Sequence, residues 1–469
     1  MAQADATTRI IRYEIGTRRD GRWMIECARE LESEAIALAR TLLASKSYEA
    51  VRVMRERDLH GTTLVQTPIF EAACSGDGSQ PLRVSASDER DCWCTELDEL
   101  YGARSRRAIG QLLRSFLDQL KITPTELLHN IRFSRKLDDA GMLLSSAMQR
   151  VARARAESTG ESVSDSVGVL ETLIAAAIRR AADARAQRHT PRPGTDGLDP
   201  LVERARQMSE NQSEQRFFLR YAIALDFEAM PSLLARLVAA LEWGARATTP
   251  EAVIAVDELV ADCLGSAAIV QEMLGAQPDL ATAMRMSIEL ARGRFEGAPP
   301  RAASWFPKLA ALLAEHPCPE IRAILLARVQ RELGGERPLT RGRPADEATA
   351  IMTLASGLKD ETGGTYIGGS PMIEKMIRRW KRLDQPGGFA DLEMPVGSAA
   401  QRFQTLLIQE PDQYGETKKR AMATLLIDAL REIPLDDRGP LRETAGAIRD
   451  AAFPEPARRT LLEELGADS

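Results

Sequence analysis

The chain has 469 residues, too many for one ordinary hydrophobic core, so we expect about two to four domains. Its 44% hydrophobic and 28% charged residues are usual for a soluble globular protein, and no apolar run approaches the ~20 residues that cross a bilayer. The net charge of −6 argues against a surface built throughout for nucleic acid, although it allows a local basic patch.

The composition also favours a bacterial, cytoplasmic protein. The first residues lack the apolar stretch of a signal peptide, and the six cysteines are scattered, unlike those of a disulfide scaffold. Arginine heavily outweighs lysine, which is typical of a GC-rich bacterial genome.

Residues 9–72 predict a small α/β module with the order ββαββ. Two extended runs flank Asp20-Gly21, and this dipeptide favours a hairpin because a type I′ turn needs positive φ. An amphipathic helix over Ser33–Ala44 and two further β-rich runs, Tyr48–Arg55 and Thr62–Phe70, complete the module. Its core would be marginal, so we expect it to dock on the next domain, and small sheets of this kind often bind partners.

A polar linker at 73–91 precedes a helical bundle at 92–187. The bundle is predicted from the amphipathic stripe over Ser105–Lys121 and from two longer helices after it. Residues 188–199 form a second linker, because their prolines and glycines cannot continue a helix.

Residues 200–335 predict a helical-repeat-like array. Several of its apolar stripes follow a proline, which suits helix entry because the first turn cannot use the missing N–H; these prolines are Pro231, Pro250, Pro278 and Pro319. Helix pairs begin near 231, 266 and 303, a spacing of roughly 35 residues. The turn at His316–Arg322 resembles the inter-helix turn of a HEAT repeat, an analogy of architecture alone.

A C-terminal helical domain is predicted at 345–469. The complete prediction is therefore a mainly α protein: a small N-terminal ββαββ module followed by a helical bundle and α-solenoid-like helix pairs. Arrays of this kind usually bind other macromolecules.

A glycine-rich loop, Gly363–Ser370, is the first candidate site. It leads into a helix, and a helix N-terminus with nearby glycines suits an anion, but the spacing of a phosphate-binding P-loop is absent. The loop is either a flexible connector or a partner-binding segment that presents Tyr366 and Ile367.

Two basic clusters are the second candidate. One surrounds Trp380 and comprises Arg378, Arg379, Lys381 and Arg382; the other lies on the β module and comprises Arg18, Arg19, Arg22, Arg52 and Arg55. Either cluster could recognise phosphates or an acidic partner. The apolar spacing places Trp380 in the core, so a solvated basic face is the alternative for the first cluster. The second needs its members on one face of the sheet.

No catalytic, metal or cofactor site is predicted. The four histidines, His60, His129, His189 and His316, are far apart, and Cys92-Trp93-Cys94 with Cys74 does not supply the four ligands of a closed zinc site. Carboxylate pairs such as Asp257-Glu258 point about 100° apart on a helix, so we interpret them as solvated faces and caps.

The sequence therefore favours a non-catalytic scaffold, adaptor or regulator that binds protein partners through its helical surfaces and through the N-terminal sheet. One alternative is a nucleic-acid-associated regulator that uses the arginine-rich patches. Another is an enzyme whose site contains no recognisable motif.

Overall fold

The computed structural model describes residues 11–19, 22–44, 48–59, 63–73, 84, 93–186, 192–193, 197–294, 302–340, 344–383, 388–389 and 391–467. It confirms a mainly α fold with a small N-terminal sheet. Two compact units are present, one formed by residues 1–81 with 332–350 and the other by residues 82–331 with 351–469.

The first unit contains the predicted ββαββ order. Its elements are β1 (Ile11–Arg19), β2 (Arg22–Arg29), α1 (Glu32–Ala44), β3 (Ala50–Leu59) and β4 (Thr63–Ala73). The strands form one antiparallel sheet in the order β2-β1-β3-β4. The predicted Asp20-Gly21 turn lies outside the described residues.

Helix α1 packs on one face of this sheet. Ala35 and Ala39 are fully buried together with Ile15, Val51 and Val53, which alternation along the strands directs to the same side. Small alanines on α1 allow the helix to approach the sheet closely, so the short module has a hydrophobic core of its own.

The second unit is built from helices. They are α2 (Leu97–Leu100), α3 (Ala103–Leu112), α4 (Arg114–Leu120), α5 (Pro124–His129), α6 (Ile131–Asp138), α7 (Leu143–Thr159), α8 (Val163–Ala186), α9 (Asp199–Met208), α10 (Gln212–Phe227), α11 (Leu233–Gly244), α12 (Pro250–Leu264), α13 (Ala267–Leu274), α14 (Leu280–Ala291), α15 (Phe306–Glu315), α16 (Pro319–Gly334), α17 (Pro344–Gly357), α18 (Gly369–Arg382), α19 (Ala399–Ile408), α20 (Glu416–Arg431), α21 (Ala445–Asp450) and α22 (Glu455–Leu465). Helices α16 and α17 each continue beyond this unit.

Proline and short polar side chains start these helices where the sequence indicates. Pro250 and Pro319 are the first residues of α12 and α16. Pro231 and Pro278 each precede an N-cap, where Ser232 accepts from the N–H of Ala235 and Asp279 from that of Thr282. The expected capping box at the start of α5 is also present.

Helix α12 lies at the centre of an extensive hydrophobic core of this unit. Its apolar side chains are buried on several sides, and they pack with residues of α9, α10, α11, α13 and α15. Close packing against α11 depends on Gly244, because a Cβ built there would lie 2.9 Å from Val256 Cγ1 and 3.5 Å from Leu312 Cδ1.

We expect Gly244→Ala to destabilise the protein by about 1–3 kcal/mol, because the methyl group must displace buried neighbours. The control is Gly446→Ala on α21, where a Cβ would meet no atom within 4 Å. This change should be neutral or stabilise by roughly 0.5 kcal/mol through helix propensity. Urea denaturation measures the free energy of unfolding of both variants. If the two substitutions change it equally, α11 and α12 have room to separate around the added methyl group.

Candidate functional site

Three carboxylates of α12 are buried, although most of the other residues of this helix are apolar. Asp257, Glu258 and Asp262 are the residues concerned. A buried carboxylate is stable only when charges or hydrogen-bond donors compensate it. Each of the three meets a different set of partners, and together these contacts define the polar centre of the second unit.

Glu258 is held by two arginines. Arg220 of α10 binds it with both branches of the guanidinium, at 2.7 Å from Nη2 to Oε1 and 3.0 Å from Nε to Oε2. Arg106 of α3 places Nη1 3.3 Å from Oε2, and both arginines also donate to the carbonyl oxygen of Tyr101. Burial alone would raise the pKa of Glu258, but Arg106 and Arg220 bring it below its ordinary value. Glu258 is therefore a fixed anion.

Asp262 lies one turn further along the same face of α12. It accepts hydrogen bonds from the backbone N–H of Thr125 at 3.0 Å and from the Thr125 hydroxyl at 2.6 Å. Arg106 Nε lies 3.4 Å from its other oxygen. Because Thr125 belongs to the first turn of α5, Asp262 satisfies an N–H that the helix itself cannot use.

Asp257 performs the same role for α16. Its two oxygens accept from the N–H groups of Glu320 at 3.0 Å and Ile321 at 2.9 Å. Burial raises its pKa to about 6 in spite of these donors. As expected from helix geometry, Asp257 and Glu258 diverge to separate partners. The expectation of a solvated face is wrong, because they are only 3% and 9% exposed.

A second buried ion pair joins α5 to α11. Arg236 binds the Glu126 carboxylate through Nε at 3.0 Å and Nη2 at 2.9 Å, and both side chains are almost completely buried. Glu126 also closes the α5 capping box by accepting from the N–H of Thr123 at 2.9 Å. The start of the short helix α5 is thus held by two carboxylates, that of Glu126 in α5 itself and that of Asp262 in α12.

His129 at the end of α5 is fully buried. Its Nδ1 donates to the carbonyl oxygen of Thr125 at 2.8 Å, and its ring packs against Tyr101 and Phe217. Burial and the nearby Arg220 lower its pKa well below the ordinary value, so the imidazole is neutral. These contacts assign His129 to the packing between α5 and α10.

An open groove lies beside the Arg220–Glu258 pair. It has a volume of about 440 Å³ and runs between α9, α10 and α12. Its buried apolar lining consists of Val202, Ala205, Leu219 and Ala255, and its more exposed lining includes Gln212, Gln215, Arg216, Glu251 and Ile254. The ion pair contributes to the wall, so a fixed polar network meets an apolar surface here.

One exposed apolar side chain lines this groove, and a second follows a lining residue on α9. Ile254 lines it and is 56% exposed. Met208, 54% exposed, follows Ala205 by three residues on α9, a spacing that keeps the two on neighbouring parts of one helix face.

The glycine-rich loop is a closely hydrogen-bonded turn. The Asp360 carboxylate accepts from the N–H groups of Gly364 at 2.9 Å and Thr365 at 3.1 Å. Ile367 donates its N–H to Leu358. Tyr366 is only 3% exposed, and its N–H donates to Thr424 of α20. A partner could reach the Tyr366 ring only after this turn had opened.

The helix that follows the loop has an internal anion at its start. Asp428 of α20 accepts from the N–H of Ser370 in the first turn of α18. A Cβ at Gly369, whose φ is +66°, would lie 3.1 Å from this carboxylate. The protein therefore supplies its own anion at the position where the sequence suggested an external one.

The four basic residues around Trp380 do not share one environment. Arg379 is buried, whereas Arg378, Lys381 and Arg382 are exposed. Lys381 donates to the carbonyl oxygen of Leu392 at 2.9 Å. Trp380 itself is buried, as its apolar spacing predicts.

The sheet divides the second basic cluster. Arg18 and Arg52 lie on one face with Trp23, and their guanidinium carbons are 5.8 and 4.3 Å from its ring centroid. Arg55 pairs with Tyr13 in the register and so belongs to the opposite face. The side chains of Arg19 and Arg22 lie outside the described residues.

Neither a metal centre nor a membrane span is found in the described part of the chain. No group of three or more potential metal ligands occurs there, and no helix there is long and apolar enough to cross a bilayer. Cys74, Cys92, His60 and His189 lie outside the described residues. Comparisons with family models, curated proteins and solved structures found no match for this chain.

We expect Glu258→Ala to destabilise the protein by about 3–5 kcal/mol, because it leaves two buried arginines without their shared anion. The control is Glu251→Ala, which removes a carboxylate paired with Arg206 at 2.7 Å where both side chains are more than 40% exposed. Its cost should stay below about 1 kcal/mol. Equilibrium urea denaturation measures both, and similar costs would contradict the buried network.

Asp257 should make stability depend on pH. Its pKa rises from 3.8 to about 6 on folding, so the folded state holds more protons within this window. Stability from this group is fully present below pH ~3.8 and is lost as pH rises through ~6, by up to ~3 kcal/mol. The free energy of unfolding of the unmodified chain, compared with that of Asp257→Asn across pH 4–7, should show this decline. A constant difference would rule out the raised pKa.

Proposed function

We propose that this chain is a non-catalytic scaffold protein that binds an amphipathic helix of a protein partner in the groove between α9, α10 and α12. The observation that carries the proposal is the groove itself, which is lined by buried apolar residues, by more exposed polar residues and by the exposed Ile254. Grooves of this kind are a common way of recognising amphipathic helices.

The charged groups beside the groove support binding in preference to catalysis. A general acid or base must exchange protons near the working pH, and a nucleophile needs a neighbouring base. Glu258 is a fixed anion between two arginines, and Arg220 is engaged by Glu258 and by the carbonyl oxygen of Tyr101. These groups set the shape of the wall and have no free partner for a reaction.

The groove favours a helix because helices already form its walls. A further helix could pack along α9, α10 and α12 as they pack against one another. Ile254 and Met208, each more than half exposed, would then be covered by the apolar side of the partner.

Charge at the rim indicates an acidic residue on the partner. Arg216 is exposed and donates to the neutral side-chain amide of Gln212 at 3.2 Å, and no carboxylate among the described residues pairs with it. Glu251 across the groove is already paired with Arg206. The uncompensated rim charge is therefore positive, and it favours a helix with a carboxylate beside its apolar stripe.

The nucleic-acid alternative has weaker support. Each of its two arginine-rich clusters is broken up: Arg379 is buried in the cluster around Trp380, and the cluster on the N-terminal sheet is divided between the two faces of the sheet. In the first cluster Arg378, Lys381 and Arg382 remain exposed, three and four residues apart on α18.

Two synthetic amphipathic helices test the proposal. Both carry the same leucine stripe, but one has glutamates beside it and the other lysines. The full chain should bind the glutamate peptide roughly threefold to tenfold more tightly at low salt, and the preference should shrink as salt screens it. Fluorescence anisotropy of labelled peptides measures both affinities.

Variants locate the binding surface in the same assay. Arg216→Glu should reverse the preference, whereas Arg179→Glu, at an exposed arginine of α8 outside the groove, should leave it unchanged. Ile254→Asp should weaken both peptides at least tenfold, because it places a charge among the apolar contacts. If neither Arg216→Glu nor Ile254→Asp changes peptide binding, the groove is not the binding site. If the chain self-associates and Ile254→Asp abolishes this self-association, the groove binds a second copy of the chain and not a partner helix.

A further inference from the structure

The helical bundle formed by α2 to α8 contains a second, different cavity, which is partly open to the surface. Its volume is about 120 Å³, and its lining comes from α3 and the α5–α6 corner on one side and from α7 and α8 on the other. Lining residues include Leu112, Leu127, Leu137, Leu144, Met148 and Leu170. These side chains are all large and apolar, so the cavity is chemically unlike the groove.

Three of the lining residues are polar, and the two serines among them donate their hydroxyl protons to backbone carbonyl oxygens. Ser105 donates to the carbonyl oxygen of Glu99 at 2.7 Å, and Ser134 donates to that of Leu127 at 2.7 Å. The third is Cys94, whose thiol is only a weak hydrogen-bonding group. A buried water needs two to four polar partners, so water gains little by entering.

The size of the cavity matches a small apolar molecule. Apolar cavities of ~150 Å³ in proteins stay dry and take up benzene or xenon. A void of this kind deprives its lining atoms of dispersion contacts, and an apolar guest restores them. Leucine and methionine side chains on several helices can adjust around such a guest, because methionine is flexible and polarizable.

We infer that this cavity is a binding site for an apolar group the size of one benzene ring or of a short alkyl chain. The guest presents mainly apolar surface to the cavity, because the polar side-chain atoms of the lining are only the Cys94 sulfur and the oxygens of Ser105 and Ser134, whose protons are donated elsewhere. The site shares no lining residue with the groove. The inference therefore stands independently of the proposed function.

Benzene and phenol form a matched pair of probes for the full chain. They have nearly the same shape, but phenol must also bury a hydroxyl, for which the lining side chains offer only the Cys94 sulfur and the oxygens of Ser105 and Ser134, already engaged as donors. Benzene should raise the melting temperature and should cause saturable shifts of methyl resonances from cavity residues, whereas phenol should bind at least tenfold more weakly. Absence of saturable benzene binding, or equal binding of phenol, would overturn the inference.

Two alanines of α7 provide the structural control. Ala147 lines the cavity and Ala152 does not, although both are buried. Ala147→Leu should abolish benzene binding while the melting temperature stays the same or rises, because the larger side chain fills the void. Ala152→Leu should lower the melting temperature because it overpacks a filled site. If Ala147→Leu does not fold, Ala177→Leu blocks the same cavity from α8. Benzene binding that survives in the folded occluding variant would place the guest elsewhere.

Discussion

The second unit depends on one constraint: three carboxylates on α12 have been removed from water and must each find a partner. Asp257 and Asp262 take N–H groups at the starts of α16 and α5, and Glu258 takes the guanidinium groups of Arg106 and Arg220. Asp257 projects away from Glu258 and Asp262, which share one face of α12, so rotation of the helix by one residue, about 100°, would separate all three from their partners. Apolar packing supplies the driving force for burial, but it tolerates such rotations far better. The buried charges therefore specify the orientation of α12 and of the helices around it.

The same constraint explains how the groove keeps its shape. Arg220 and Glu258 form part of its wall, and each is fixed by contacts that extend away from the groove toward α3 and Tyr101. A binding surface fixed in this way loses little conformational entropy when a partner arrives, because its side chains are already ordered. The apolar cavity of the α2–α8 bundle lacks such fixed charges, and its lining residues can adjust to a guest.

Much of the fold could be predicted because local signals and tertiary packing agree. The ββαββ order followed from a turn dipeptide and alternation, and the helix starts at Pro250, Pro319 and the Thr123 capping box followed from capping chemistry. The polar centre could not be predicted in this way. Whether Glu258 faces water or two arginines from distant parts of the chain depends on which helices become neighbours, and no local pattern contains that information. One signal was available in the sequence, since most of the residues that surround Asp257, Glu258 and Asp262 on α12 are apolar.

A double-mutant cycle on Arg220 and Glu258 tests this account most directly. Arg220→Met, Glu258→Met and the double variant retain bulk while removing the charges, and urea denaturation gives the coupling free energy between the two side chains. The account predicts a favourable coupling of at least ~1.5 kcal/mol, with the double variant more stable than Glu258→Met alone. A coupling near zero would contradict it, because the pair would then be a consequence of apolar packing and not its determinant.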